Sequence, residues 1–592
     1  MTRTLFIVLI ALSFSSSAFA QGAPDAPPAP DTVDAPAPSP APAERTVLLP
    51  PPEPVCTPSC APNACMIDDG CGGTCACDDG VSCVDGVCTA PESKVVADDA
   101  GSEIFDRVLI QLNWGDDNLL LGSGETRENS PDPNFSRCAR TQIDGVTGKD
   151  CSQGTSRLGL YKSVDIGDGF TAAGALVLGL GVVTDPESSK AGNVSLYDLG
   201  SYLRLDKAFS DTNSMQLEMY PVDARPMKLG FHPDIEWGTK DEFPENFRRG
   251  AAPGLKLGFK AGGFYAFAGA KTALIKSPLE IELASDIGNR ILFSTRTFYG
   301  ALGGLGLDLP KAGLSIEANG GFFHKGTLTK EGVLGKDIFS GGGSLRVGYR
   351  QGLPIGLRID SSLYQRTVAG AQAVEKEAYD GSFAMAATAE GTLQVQNLSD
   401  FEQPGSTDLE WAYAGHLGMK FKLSDLRLHV EARMRSLTHI TAQVPGFFPY
   451  TTIPENAETV PELQGLVSVD YRMGNVTLAV TGGVRMPSTY RGLAPTGAGE
   501  DAASAGVRTV VVSEADAGGW YILPAGIDAQ LVGWGELGLK WHPAPEFALM
   551  GELLYGHDGN RTQVERDSSG HAIRVFTQPH ILGINLLGQF LF

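Results

Sequence analysis

From about residue 104 to the C-terminus, apolar and polar side chains alternate with a period of two. That period belongs to a β-strand, whose successive side chains point to opposite faces. The segment Leu426 to Arg435 shows it most clearly. Leu426, Leu428, Val430, Ala432 and Met434 fall on one side, and Arg427, His429, Glu431, Arg433 and Arg435 on the other. A helix would mix the two sets around its circumference. The outer face of the preceding run reads Trp411, Tyr413, Gly415, Leu417, Met419 and Phe421. Ile355, Leu357, Ile359, Ser361 and Leu363 repeat the pattern, with Arg358 and Asp360 on the opposite face. Runs of about 9–11 residues with one apolar face fit strands that cross a bilayer tilted. No apolar stretch in this region reaches the ~20 residues of a membrane helix, and Gly169 to Val183 is Gly/Ala-rich and reads as one more strand.

Connection lengths are a second, independent signal. Tight turns at 422–425, 473–475 and 542–545 join strands in pairs, and long polar segments at 366–408, 438–461, 487–529 and 557–580 separate the pairs. Short turns on one side and long loops on the other are the pattern of an outer-membrane barrel. The expected strands are 105–114, 157–166, 170–182, 195–206, 213–220, 253–260, 263–275, 297–308, 313–323, 341–350, 355–365, 411–422, 426–437, 463–473, 475–485, 531–541, 545–556 and 582–592. The fold class is therefore all-β: a transmembrane antiparallel barrel of about 16–18 strands over 104–592, wide enough to leave an aqueous lumen. An even count returns both ends of the barrel to one side of the membrane.

The region before the barrel has three parts. Residues 1–20 read as a signal peptide, with Arg3, the apolar run Leu5 to Leu12, and Ser17-Ala18-Phe19-Ala20 offering small residues for cleavage. Residues 21–55 are a Pro/Ala-rich linker that, extended at about 3.1 Å per residue, spans roughly 100 Å. Residues 56–90 hold Cys56, Cys60, Cys65, Cys71, Cys75, Cys77, Cys83 and Cys88. An even count in an exported segment with few apolar residues reads as a disulfide framework. Thiolate zinc is the alternative, but the spacing lacks paired C-x2-C and any His. Cys138 and Cys151 share one long loop of the barrel and are expected to pair locally.

The net charge of −23 argues against nucleic acid, whose phosphates need a basic surface. Gly300 to Gly306 lacks the strand–loop–helix context of a phosphate cradle. His429 and Glu431 are i, i+2 neighbours with no nucleophile placed beside them, so no enzyme, cofactor or metal is expected.

Two resemblances add to this reading. Leu582, Ile584, Leu586, Gly588, Phe590 and Phe592 alternate to a terminal Phe. That ending resembles the C-terminal strand signal of Gram-negative outer-membrane proteins, and implies recognition by the barrel assembly machinery through Phe590 and Phe592. The run CTPSCAPNACMIDDGCGGTCACDDGVSCVDGVC resembles short Cys-rich modules on envelope proteins of deltaproteobacteria. Porin-type barrels often fold the loop after the fifth strand into the lumen. By the strand count that loop is 221–252, with Asp234, Glu236, Asp241, Glu242 and Glu245 beside Arg248 and Arg249. An acidic constriction facing the Arg427–Arg435 wall would set up a transverse field. An ordinary external loop with solvated lumen arginines is the alternative.

The expected function is a porin-like outer-membrane channel for passive diffusion of small hydrophilic solutes, with linker and Cys-rich module in the periplasm. The alternative is a structural or adhesive envelope protein, anchored by the barrel and tethered through that module. A hydrolase is a third reading without a catalytic constellation. The implied partners are outer-membrane lipid and the assembly machinery, with cell-wall contact and further copies of the chain left open.

Overall fold

The computed structural model describes residues 82–84 and 87–89 and, from 105 onward, all but 117–118, 121–155, 183–193, 225, 233, 240–242, 244–250, 282–289, 329–331, 353–382, 443–449, 494–505, 513–519 and 545–546. The chain divides into two units, Met1–Gly101 and Ser102–Phe592. In the first, Ser82–Val84 and Val87–Thr89 form a hairpin that sets the backbones of Cys83 and Cys88 opposite each other. The pairing expected of the module's cysteines, and of Cys138 and Cys151, lies outside the described residues.

The second unit is a closed antiparallel barrel. Its strands are β1 (Arg107–Asp116), β2 (Arg157–Gly167), β3 (Phe170–Val182), β4 (Val194–Asp198 and Tyr202–Ser210), β5 (Asn213–Tyr220), β6 (Gly254–Ala261), β7 (Phe264–Ile281), β8 (Arg290–Leu309) and β9 (Leu314–Thr327). They continue as β10 (Asp337–Gln351), β11 (Ala384–Ser399), β12 (Thr407–Leu423), β13 (Leu426–Arg435), β14 (Glu462–Met473), β15 (Val476–Met486), β16 (Val532–Ala544), β17 (Phe547–His557) and β18 (His580–Leu591). The two parts of β4 pair with successive stretches of β3 and count as one broken strand, which makes eighteen. Each strand pairs with its neighbours in sequence, and β18 closes on β1 through Ile584↔Asp116 to Leu591↔Leu109. Phe592 extends this seam, exchanging two 2.9 Å backbone hydrogen bonds with Val108.

The alternation decides which face of each strand meets which surroundings. Arg427, His429, Glu431, Arg433 and Arg435 point inward and are buried or half-buried, whereas Leu426, Val430 and Met434 lie exposed on the outside. Trp411, Tyr413, Leu417 and Met419 of β12 are exposed in the same way, as are Val467, Val469 and Tyr471 of β14. So broad an apolar exterior is untenable in water and is what a lipid-facing surface requires. Among the described residues no helix is long and apolar enough to cross a membrane. The crossing is made by strands, whose backbones pair with their neighbours around the closed ring. The folded protein should therefore migrate differently in SDS before and after boiling. Identical migration, with a mainly helical circular dichroism spectrum, would overturn the barrel.

One expected strand is corrected. The ring passes from β10 to β11 through Gly341↔Val395 and Gln351↔Met385, so the eleventh strand is 384–399 and not 355–365. Arg358 and Asp360 lie outside the described residues, in the connection between β10 and β11. In β11 the outward face carries Ala387, Ala389 and Gly391 between Met385 and Leu393, so its apolar contrast is interrupted in the middle. The correction also puts one long connection, 352–383, at the end of the barrel that otherwise carries tight turns.

At the other end the long loops have structure of their own. Glu458–Val460, Ser488–Leu493, Val507–Val512 and Trp520–Ile522 form a four-stranded sheet. Leu437 and Ile440 of a short helix, Leu437–Thr441, pack against its Tyr490, Val510, Val512 and Ile522. Burial pushes the Tyr490 phenol up to about 12, and its hydroxyl donates to the Leu493 carbonyl at 2.9 Å.

Candidate functional site: a loop docked inside the barrel

The loop between β5 and β6 turns into the barrel. Leu229 and Trp237 exchange backbone hydrogen bonds of 2.8 and 2.9 Å, which makes a hairpin of the segment between them. Gly230 supports the turn at φ +85°, a conformation that side chains rarely adopt. The base of the loop is held by apolar burial. Tyr220, Met227, Leu229, Trp237 and Phe243 pack with Tyr202 of β4, Phe267 and Ile275 of β7, Phe298 and Leu302 of β8, and Phe323 of β9. A barrel interior so apolar on one side is unusual for a water-filled lumen. It exists to seat this loop, and each large side chain buried there contributes about 1.5–3 kcal/mol. Trp237 and Phe243 both meet the Phe323 ring edge-on, with centroids 5.9 and 6.2 Å away. Phe323 in turn lies over Gly300, where any Cβ would overlap its ring. That contact gives Gly300 its reason.

The hairpin tip is held by polar contacts to the far wall. The Gly230 N–H donates to Asn319 Oδ1 of β9 at 3.1 Å, and Trp237 Nε1 donates to Ser344 Oγ of β10 at 3.2 Å. The Phe231 N–H donates to Glu390 Oε1 of β11 at 2.8 Å, and the Phe231 ring sits 4.6 Å from the Arg346 guanidinium. Asp234 is ion-paired with Arg433 of β13, and Arg435 Nη1 donates to the Asp234 carbonyl at 3.3 Å. His232 stacks on His416 of β12, centroids 3.7 Å apart, and its Nε2 lies 3.4 Å from Glu431 Oε1. The hairpin thus reaches from β5 to β13, most of the way across the ring.

The basic wall is not a row of free charges. Arg427 pairs with Asp470 of β14 at 2.6 Å. Arg433 and Arg435 reach Glu462 of β14 at 2.9 and 2.8 Å, and Arg485 of β15 approaches the same carboxylate at 3.9 Å. Glu236 is paired within the loop, with Lys228. Among the described residues, the acidic loop meets the basic wall in direct contact, through Asp234 on Arg433 and Arg435. Asp234 and Arg433 touch, because the loop is long enough to cross and both charges are cheaper to bury as a pair than alone. Asp241, Glu242 and Glu245 lie outside the described residues, as do Arg248 and Arg249.

Several residues of the site were not anticipated. Glu462 and Asp470 sit at even spacing on the inward face of β14, so the alternation marks them as inward-facing. His416 can be placed the same way, opposite the outward Trp411 and Tyr413. His232 and Phe231 belong to a loop without periodicity, and nothing in the sequence singles them out.

No known family model matches the chain, and no curated protein does. Its fold is similar to solved outer-membrane channels. OccK1 of Pseudomonas aeruginosa shares 8% identity at a TM-score of 0.37, over 82% of this chain and 97% of that one. The channel DcaP of Acinetobacter baumannii shares 12% at 0.31, over 82% and 95%. An anion-selective porin from Comamonas acidovorans shares 12% at 0.31, over 74% and 90%. The barrel rests on its own ring of strand pairings.

Proposed function

We propose that this chain is an outer-membrane channel that admits small hydrophilic solutes by passive diffusion past the Leu229–Trp237 hairpin. The observation that carries the reading is the docked hairpin itself: an eighteen-strand ring is apolar outside, largely polar inside, and crossed by a loop fixed to its far wall. A ring of this size is wide enough for water, and a crossing loop narrows it to solutes of limited size. Asp234 and Glu236 on the hairpin, with Arg427, His429, Glu431, Arg433 and Arg435 on the wall, are the ionisable groups that border the passage, most of them buried. Because most are paired, selectivity would come from width and from local dipoles more than from one strong field.

The reading extends to the rest of the chain. The signal peptide expected at 1–20 and the terminal Phe support a barrel carried to the outer membrane of a Gram-negative cell and inserted there by the assembly machinery. The linker and disulfide module would then stand in the periplasm. The tether reading keeps a claim through that module, with the barrel as anchor. Planar-bilayer recording separates the two. Discrete open steps from the folded full-length protein are expected. Their absence, together with binding to isolated cell wall, would replace the channel with the tether.

A further inference from the structure

Where the hairpin tip meets β12 and β13, three side chains from separate parts of the chain converge. They are His232 of the loop, His416 of β12 and Glu431 of β13. Their ligating atoms all lie within 4.8 Å of one another. All three are more than nine-tenths buried. Glu431 Oε1 lies 3.4 Å from His232 Nε2 and 3.5 Å from His416 Nε2. His416 Nε2, though fully enclosed, makes no well-formed hydrogen bond.

We propose that His232, His416 and Glu431 form a binding site for a divalent transition-metal ion of the zinc class, which joins the hairpin to the barrel wall.

The spacing fits such an ion. Nitrogen and oxygen donors held about 2.0–2.1 Å from a tetrahedral metal lie about 3.3–3.4 Å apart. The two His–Glu separations are already near that value, so the carboxylate needs little movement. The imidazoles, stacked at 16° to each other, must fan apart to aim both lone pairs at one point. The stack also bears on charge. Two buried rings 3.7 Å apart cannot both be cationic without strong repulsion, so at least one offers a nitrogen lone pair. Two imidazoles and a carboxylate suit zinc, nickel, cobalt or copper, whereas calcium and magnesium favour all-oxygen sets. His429 Nε2 approaches the same Glu431 oxygen at 3.3 Å but stands outside the group of three. It would orient the carboxylate, as outer groups around metal sites commonly do. Three protein ligands leave a position for water or for a passing solute. The ligands come from 232, 416 and 431, with no local spacing motif, so the sequence alone gives no reason to expect a metal.

The site depends on the docked hairpin and not on whether the barrel conducts. Its test therefore reads binding alone. Cobalt(II) is titrated into the full-length protein folded in detergent, and the visible absorption of the bound ion is followed, with zinc as competitor. Saturable binding with displacement by zinc is expected. His232→Gln and His416→Gln should each weaken it by at least about tenfold, since each removes one of three ligands. Each variant is first shown to keep its heat-modifiable SDS band. His557 and His580, whose rings lie 5.2 Å apart at the rim, serve as the control, and the double Gln variant should bind as the parent does. Absence of the cobalt spectrum at millimolar ion, a spectrum indifferent to both substitutions, or one lost with His557 and His580 would each overturn the site.

Discussion

Replacing Arg433 with Glu is expected to raise single-channel conductance several-fold. Arg433 sits between Asp234 of the hairpin and Glu462 of β14. Reversing its charge leaves three carboxylates together in a buried place, where removing one partner of an ion pair alone costs about 3–5 kcal/mol. The ladder of β13 is made by backbone groups and does not depend on this side chain. The cheapest relief is for the hairpin tip to leave the wall, which opens the lumen that it crosses. The apolar base around Trp237 and Phe323 should stay in place, so the current should fluctuate and not settle at one larger value. Adding Asp234→Arg restores an attraction between tip and wall and should bring conductance back toward the parent. A folded R433E barrel with parental conductance would show that this ion pair does not hold the hairpin.

Deleting Phe592 is expected to lower the amount of folded barrel in the outer membrane severalfold, with Phe592→Asp nearly as damaging. Two losses coincide. The residue resembles the terminal aromatic by which outer-membrane proteins are recognised for assembly. It also makes the last two backbone hydrogen bonds of the seam between β18 and β1, both to Val108. Its ring stacks at 6.4 Å on Phe590, which stacks on Phe547 of β17 at 4.6 Å. Quantifying the heat-modifiable band in outer-membrane fractions tests this. Because Asp keeps the backbone bonds while removing the aromatic ring, the two variants separate recognition from seam closure. Parental levels of both would remove the resemblance as an argument.

How far the sequence reaches is visible in particular elements. β13 and β18 are legible because large apolar residues occupy one face and charged or small ones the other, so two environments are written in alternate letters. β11 was missed because Ala, Gly and Thr carry little contrast between lipid and lumen, while the segment 355–365 carried more. The docked hairpin was recognised only as a candidate. Its position depends on where Met227, Trp237 and Phe243 find apolar partners on β7 to β9, and those inward apolar residues break the alternation that identifies strands. The pairing of Arg433 with Asp234 is a matter of reach across the ring, which no local pattern records.

The strands differ greatly in length: β8 has 20 residues and β7 has 18, whereas β5 and β6 have 8 each. About ten residues suffice to cross a bilayer at a tilt. The surplus of β7 and β8 must therefore stand clear of the lipid as a bare palisade, while β5 and β6 end near the membrane surface. The mouth is then cut on a slant. The low side is the one where the hairpin is rooted, between β5 and β6, and the tall pair β7 and β8 stands beside it.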